Sequence, residues 1–189
     1  MTEKEKMLQG LPYYADKDET LKNERLECKK LCHKHNQLSS ENLEERKTLL
    51  KQILGSTKEN FLIEQPFICD YGYNIEIGEN FYSNHNLTIL DCNKVTFGDN
   101  VFIGPNCAFY TALHPLDAKT RNEGLETAKP ITIGNNVWFG GSIVVLPNVT
   151  IGDNSVIGAG SVVVKDVPKN VVVAGNPAKI IKVIDKLKE

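Results

Sequence analysis

Apolar and polar positions follow two different periods along this chain, and the change falls between residues 60 and 75. Up to residue 60 the spacing is helical. The stretches 18–36 and 40–54 are rich in Lys, Glu, Leu and Arg and hold no Gly or Pro in their interiors, a pattern that predicts two helices. In the second, Leu43, Lys47, Leu50 and Leu54 share one face, Ser39 or Ser40 is the expected N-cap, and Gly55 supplies a stop. The many charges form a solvated outer face. Residues 1–60 therefore read as a small helical cap lying against something larger.

From Ile75 onward the period is six. Ile77-Gly78, Phe97-Gly98, Ile103-Gly104, Ile133-Gly134, Phe139-Gly140, Ile151-Gly152 and Ile157-Gly158 repeat a large apolar residue followed by Gly, and Ile89, Val145 and Val163 keep the phase without it. A second column runs through Phe81, Leu87, Val101, Cys107, Val137, Ile143, Val149, Ser155, Ser161 and Val167. Members of the two columns stand alternately two and four residues apart. Two residues apart means one face of a short strand, and the longer interval must turn the chain. Gly there, and Asn in Gly-Glu-Asn, Gly-Asp-Asn and Gly-Asn-Asn, suit the left-handed backbone of a tight corner. Three such sides close a triangular coil, and stacked coils bury a continuous apolar column. A helix would scatter a six-residue period around its surface, and hairpins would need wider turns.

The register breaks twice. It slips by two residues through Asp91-Cys92-Asn93-Lys94, and after Leu113 a polar excursion, 114–130, intervenes before Ile131 resumes the repeat. A long departure from a rigid solenoid is usually functional.

Composition narrows the setting. With 189 residues, 41% of them hydrophobic, and a formal charge of −2, the chain supports one sizeable core and has no bulk affinity for nucleic acid or anionic membrane. The opening MTEKEKMLQG has no apolar core of a signal peptide, and no run of about 18 apolar residues occurs. A cytoplasmic protein is expected. Cys28, Cys32, Cys69, Cys92 and Cys107 are an odd, scattered set without a CxxC pair, which fits reduced thiols. Cys28 and Cys32 can share a helix face, where packing is the expected role.

Together, Tyr14-Ala15-Asp16, Leu21-Lys22-Asn23-Glu24-Arg25, the segment CDYGYNIEIGENFYSNHNLTILD (69–91), His114-Pro115 and the closing ITIGNNVWFGG, IGAGSVVVKD and AGNPAKIIKVI resemble the maltose/galactoside O-acetyltransferase family over nearly the whole chain. The hexapeptide rows are shared by many acyltransferases, whereas the helical opening with FYSNHN and the His-Pro loop is much narrower. The resemblance implies a mainly β fold, a left-handed parallel β-helix over 61–189 with a C-terminal tail, behind a helical cap over 1–60. It further implies a homotrimer with active sites between subunits and acetyl-CoA as co-substrate, with no metal required.

Acetyl transfer to a hydroxyl needs a base near the working pH and fixed donors for the charge that develops on the thioester oxygen. Histidine suits the first task. His33 and His35 lie in the charged helical region and read as solvated, and His85 lies next to Asn84 in a segment that can line the same cleft. His114 starts the excursion, where strand meets loop, and it matches the family's catalytic base. Asn84 matches the residue that hydrogen-bonds the reacting hydroxyl, a task its amide performs without a charge to desolvate. Main-chain N–H groups near Gly140, Gly141 and Ser142 are the candidate oxyanion donors. The resemblance assigns the acceptor to Asp16, Arg25, Asp70, Tyr82, Asn84 and Glu126, and the cofactor to Gly104, Trp138, Gly141, Ala159, Val164, Lys165, Lys179 and Lys182.

Asp70 and Glu126 stand where galactoside-type members have Ser and Met, which points to a maltose- or glucose-type acceptor. Cys92 stands where a galactoside-type member has Asp, and Gly141 where the family often has Ser. Lys179 and Lys182 replace Arg, and so bind phosphate as point charges. Three rivals share the coil. A xenobiotic acetyltransferase lacks this helical opening, a γ-class carbonic anhydrase needs three His ligands where the coil region has two, and an assembly module would leave Asn84 and His114 without a task.

Overall fold

The six-residue columns wind into the coils of a parallel β-helix in a computed structural model that describes residues 1–185; the end of the expected tail, 186–189, lies outside the described residues. Three parallel sheets form its faces. The first carries Phe61–Ile63, Phe81–Ser83, Phe102–Ile103, Trp138–Phe139, Val156–Ile157 and Val171–Ala174. The second carries Phe67–Cys69, Leu87–Leu90, Ala108–Tyr110, Val144–Val145 and Val162–Val163, and the third Ile75–Ile77, Val95–Phe97, Ile131–Ile133 and Thr150–Ile151. The chain passes from first to second to third face in each coil. Successive coils pair in register, as Tyr82 does with Phe102 and Phe102 with Trp138.

Both sequence columns point inward. Ile77, Ile103, Ile133, Ile151 and Ile157 are buried, and so are Phe81, Val101, Cys107, Val137, Ser155 and Ser161. Phe81, Phe97, Phe109 and Phe139 stack edge to face along the axis with centroids 5.0–5.4 Å apart, a geometry worth about 0.5–1.5 kcal/mol per pair beyond area burial.

The corners divide labour differently from the sequence expectation. Asn80, Asn100, Asn136, Asn154 and Asn170 hold φ between 55° and 60°. They form a ladder between the third and first faces, each Nδ2 donating to the next Oδ1 at 2.9–3.1 Å. The glycines after the apolar residues do not supply left-handed backbone. Gly78 and Gly104 lie outside that region. A Cβ at Gly78 would stand 2.4 Å from the Gly98 carbonyl oxygen, and one at Gly104 would stand 2.7 Å from that of Gly140. Coil-to-coil approach, which no single coil's sequence displays, demands these glycines.

The N-terminal region holds α1 (Glu3–Leu8), α2 (Glu19–Gln37) and α3 (Leu43–Ile53). The periodicity did not reveal α1, which is closed by a capping box between Thr2 and Glu5. Asn42, and neither Ser39 nor Ser40, occupies the N-cap of α3; Ser39 Oγ instead accepts the Glu41 N–H in the preceding turn. Cys28, Cys32, Leu50 and Ile53 share one core with the coils. His33 is exposed as expected, but His35 is fully buried. The reason is that α2 lies on the second face, where Asn36 exchanges two 2.9 Å hydrogen bonds with the Phe67 backbone.

Between the second and third faces the chain leaves the prism as an antiparallel pair, Ala112–Leu113 with Thr127–Ala128, carrying the short helix α4 (Ala118–Asn122) in between. Tyr13 and Glu126 exchange backbone hydrogen bonds of 2.9 Å in both directions, which ties the N-terminal segment to this flap.

Candidate active site

Candidate residues gather on two different edges of the prism. At the edge between the second and third faces, the bends 70–74 and 91–94 and the root of the flap stack coil on coil. Asp91 is buried beneath them. Its Oδ1 accepts the N–H groups of Asp70 and Tyr71 at 3.0 and 2.9 Å, and Asn74 Nδ2 donates to its carbonyl at 2.7 Å. These bonds fix the bend that presents Asp70. Burial nevertheless pushes the Asp91 carboxyl up to about 7. Burial also raises Asp70, with the Arg25 and Lys29 charges opposing it.

Above Asp91, Cys92 Sγ lies 3.8 Å from Asp70 Oδ2. Burial, followed by the Asp70 charge, pushes this thiol up to about 12, so it faces the carboxylate as a neutral group. Tyr13 OH donates to Glu126 Oε2 at 3.0 Å, and Arg25 Nη2 lies 3.7 Å from Asp16 Oδ1. Asp16, Arg25, Asp70 and Glu126, far apart in sequence, thus belong to one neighbourhood. Tyr13 and Asp91 belong there too, and sequence reasoning did not single them out. The register slip at 91–94 marked the place, but nothing local showed that a carboxylate was buried in it. His114 stands exposed at the root of the flap, with no hydrogen-bond partner among the described residues.

At the edge between the first and second faces, Asn84, Gly104, Gly141 and Ala159 stack one coil apart. Asn84 Oδ1 accepts the His85 N–H at 2.7 Å, which leaves its Nδ2 without a protein acceptor among the described residues. His85 is committed elsewhere, its Nδ1 lying 2.6 Å from the Gln65 carbonyl. Beside this edge runs a groove of about 350 Å³ lined by Tyr82, Asn84, Phe102, Ile103, Gly104 and Trp138. Its aromatic wall is open to solvent, Trp138 being 57% and Phe102 49% exposed, and aromatic surface of that extent is available for a flat or apolar ligand.

Of the three expected oxyanion donors, two are already engaged. Gly140 N–H donates to Ile157 O and Ser142 N–H to Pro105 O, each at 2.8 Å. Gly141 N–H has no such acceptor among the described residues. A coil needs its corner amides for stacking, so only one is left over for chemistry.

The remaining cofactor candidates lie apart from this groove. Val164 and Lys165 follow Val162–Val163 and sit exposed on the same edge as the flap, farther down the axis. Lys179 and Lys182 are exposed on Lys179–Val183, which pairs antiparallel with Val171–Ala174. A face carries three strand residues, about 10 Å of extended chain. One chain therefore holds Asn84 and His114 at opposite ends of its second face.

Residues 6–58 match the family model described as the maltose acetyltransferase hexapeptide capping motif, and residues 130–165 match the bacterial transferase hexapeptide of six repeats. The galactoside O-acetyltransferase of Escherichia coli strain K12 is 47% identical over 172 residues, covering 91% of this chain and 85% of the relative. The crystal structure of a maltose O-acetyltransferase from Clostridium difficile 630 superposes with a TM-score of 0.97 at 51% identity, over 98% of this chain and 99% of that one. A galactoside acetyltransferase in complex with coenzyme A gives 0.94 at 45% identity, over 98% and 92% of the two chains.

Proposed function

The chain belongs to the maltose/galactoside O-acetyltransferase family, whose chemistry is acetyl transfer from acetyl-CoA, and from that premise we propose a direct transfer to the 6-hydroxyl of a maltose- or glucose-type sugar. A nitrogen of His114 takes the hydroxyl proton as the sugar oxygen attacks the thioester carbon. The tetrahedral oxyanion is held by the Gly141 N–H, and Asn84 orients the attacking hydroxyl. Collapse breaks the C–S bond, and the proton passes from the imidazolium to sulfur. The products are the acetyl ester and free CoA thiol.

One contrast carries the choice of base. Of the two coil-region histidines, His114 stands exposed at the root of the flap, beside the acidic pocket and with no side-chain partner among the described residues, whereas His85 lies at the other edge with its ring held by the Gln65 carbonyl. Asp16, Asp70, Glu126 and Arg25 supply the acceptors and donors that a polyhydroxyl ligand needs. Gly104, Trp138, Gly141 and Ala159 line the edge suited to the pantetheine arm, and Lys165, Lys179 and Lys182 attract its phosphates. Asn84 and His114 occupy different edges, which supports a complete site between two copies, and the family resemblance supports a homotrimer as the assembly. Five free cysteines support a cytoplasmic setting. Among the described residues no helix is long and apolar enough to cross a membrane. A galactoside acceptor is the second reading, favoured by the acceptor named for the Escherichia coli relative.

Thiol release on a panel of maltose, glucose and galactosides tests the acceptor. His114→Ala should lower kcat by roughly 10²–10⁴ while acetyl-CoA affinity is retained. Full turnover in that variant would remove His114 from the mechanism.

A further inference from the structure

Beneath the cap, α2 brings Cys28 and Cys32 against Cys69 on the second face. The sulfurs of Cys28 and Cys69 are 3.4 Å apart, those of Cys32 and Cys69 are 3.7 Å apart, and all three lie within 4.8 Å of one another. All three are buried and free of disulfides. Sulfurs held about 2.3 Å from one zinc ion at tetrahedral angles stand about 3.8 Å apart, and the two spacings to Cys69 are already within a few tenths of an ångström of that.

A second observation lies on the same helix. His35 follows Cys32 by three residues and Cys28 by seven, which puts the three side chains on one face of α2. Its Nδ1 lies 3.0 Å from Asn36 Oδ1, an acceptor whose orientation is set by the Phe67 backbone. Nδ1 therefore carries the proton in the neutral ring, and Nε2 is left as an acceptor. That Nε2 is buried without a hydrogen-bond partner, in a side chain with no solvent exposure. A buried lone pair without a donor is costly, and a metal ion is one partner that would satisfy it. Nε2 is not within 4.8 Å of all three sulfurs, so the ring must close by a side-chain adjustment. A cleft of about 330 Å³ between α2 and α3, with Cys28 in its wall, offers a route for entry.

We propose that Cys28, Cys32 and Cys69, with His35 Nε2 as fourth donor, form a structural site for a thiophilic ion of the zinc type that staples the helical cap to the second face of the prism. Three sulfurs and one imidazole are a closed donor set, which leaves no position for substrate and so assigns the ion to folding. Sequence reasoning assigned Cys28 and Cys32 to packing because Cys69, which completes the set, is 37 residues beyond Cys32.

Full-length protein, stripped with a chelator and kept reduced by a non-thiol reductant, should be titrated with Cd(II) while the thiolate-to-cadmium absorption is followed. Zn(II) affinity is then read by competition with a chromophoric chelator. The expected result is a break at one equivalent per chain, and melting raised by several degrees with Zn(II). Both should be lost in Cys69→Ala and kept in Cys107→Val. Cys28→Ala, at the wall of the cleft, reads the same loss if Cys69→Ala does not fold. His35→Gln should keep the cadmium band and weaken Zn(II) by roughly tenfold or more. No break in the wild-type protein, or a break that survives Cys69→Ala, would overturn the site as a whole. Unchanged Zn(II) affinity in His35→Gln would overturn the fourth ligand. Neither outcome depends on which sugar is acetylated.

Discussion

Asp91 accepts backbone donors from the bend that presents Asp70, yet its own charge opposes the burial that makes those bonds possible. Its folded value near 7 lies above the ordinary 3.8. Between those two values the folded protein holds a proton that the unfolded chain has released, so this group's contribution to stability falls as pH rises through the window. The slope is at most ~1.4 kcal/mol per pH unit for one proton. Asp91→Asn keeps an oxygen for the Asp70 and Tyr71 N–H groups and removes the charge. Relative to wild type it should gain stability steadily between about pH 4 and about pH 7, measured by urea unfolding across that range. Parallel profiles would show that Asp91 titrates normally. Asp91, like Cys69 and Tyr13, was not readable from the chain alone. Its role comes from residues 17–21 positions away, and a one-dimensional period carries no such distance. The proposed roles of His114 and Asn84 come from the family resemblance; the chain's own pattern marks only that His114 stands where a strand gives way to the excursion.

At the scale of a coil, the strands were readable since two buried columns in six residues leave few alternatives. Corners were readable only in part. Asn at a corner serves twice, by adopting positive φ and by bonding to the coils above and below. Asn136 does both, with φ 56° and side-chain bonds to Asn100 and Asn154. Replacing it separates the two effects. Asn136→Gly loses the ladder but keeps the backbone comfortable, while Asn136→Ala also pays a left-handed penalty of about 1–2 kcal/mol. Chemical denaturation should rank wild type above Gly and Gly above Ala, with that increment between the variants. Equal stability of the two would mean that the ladder alone matters. Gly78 illustrates the opposite case. Its sequence neighbours suggest a flexible corner, whereas its constraint is the carbonyl of Gly98 in the next coil.

For the whole molecule, the six-residue period implies three edges but says nothing of what happens at each. Counting along the described coils puts Asn84, Gly104, Gly141 and Ala159 on one edge, and Asp70, Cys92, His114 and Lys165 on another. A groove assembled from one edge of one copy and the other edge of its neighbour would unite base, amide and both substrates. A closed ring of identical heterologous contacts would repeat that groove at every interface. This arrangement can be distinguished from a site completed within one chain. His114→Ala and Asn84→Ala should each be nearly inactive alone. When the two are co-expressed or refolded together in equal amounts, random assembly of the proposed ring would pair an intact Asn84 with an intact His114 at about a quarter of its interfaces. Thiol release in the mixture should therefore recover to about a quarter of the wild-type rate per site. A site built within one chain would gain nothing from mixing, because every subunit would still lack one of its two groups. Recovery thus depends on geometry between copies, and the quarter holds for a closed ring of any size because each interface draws on two chains independently.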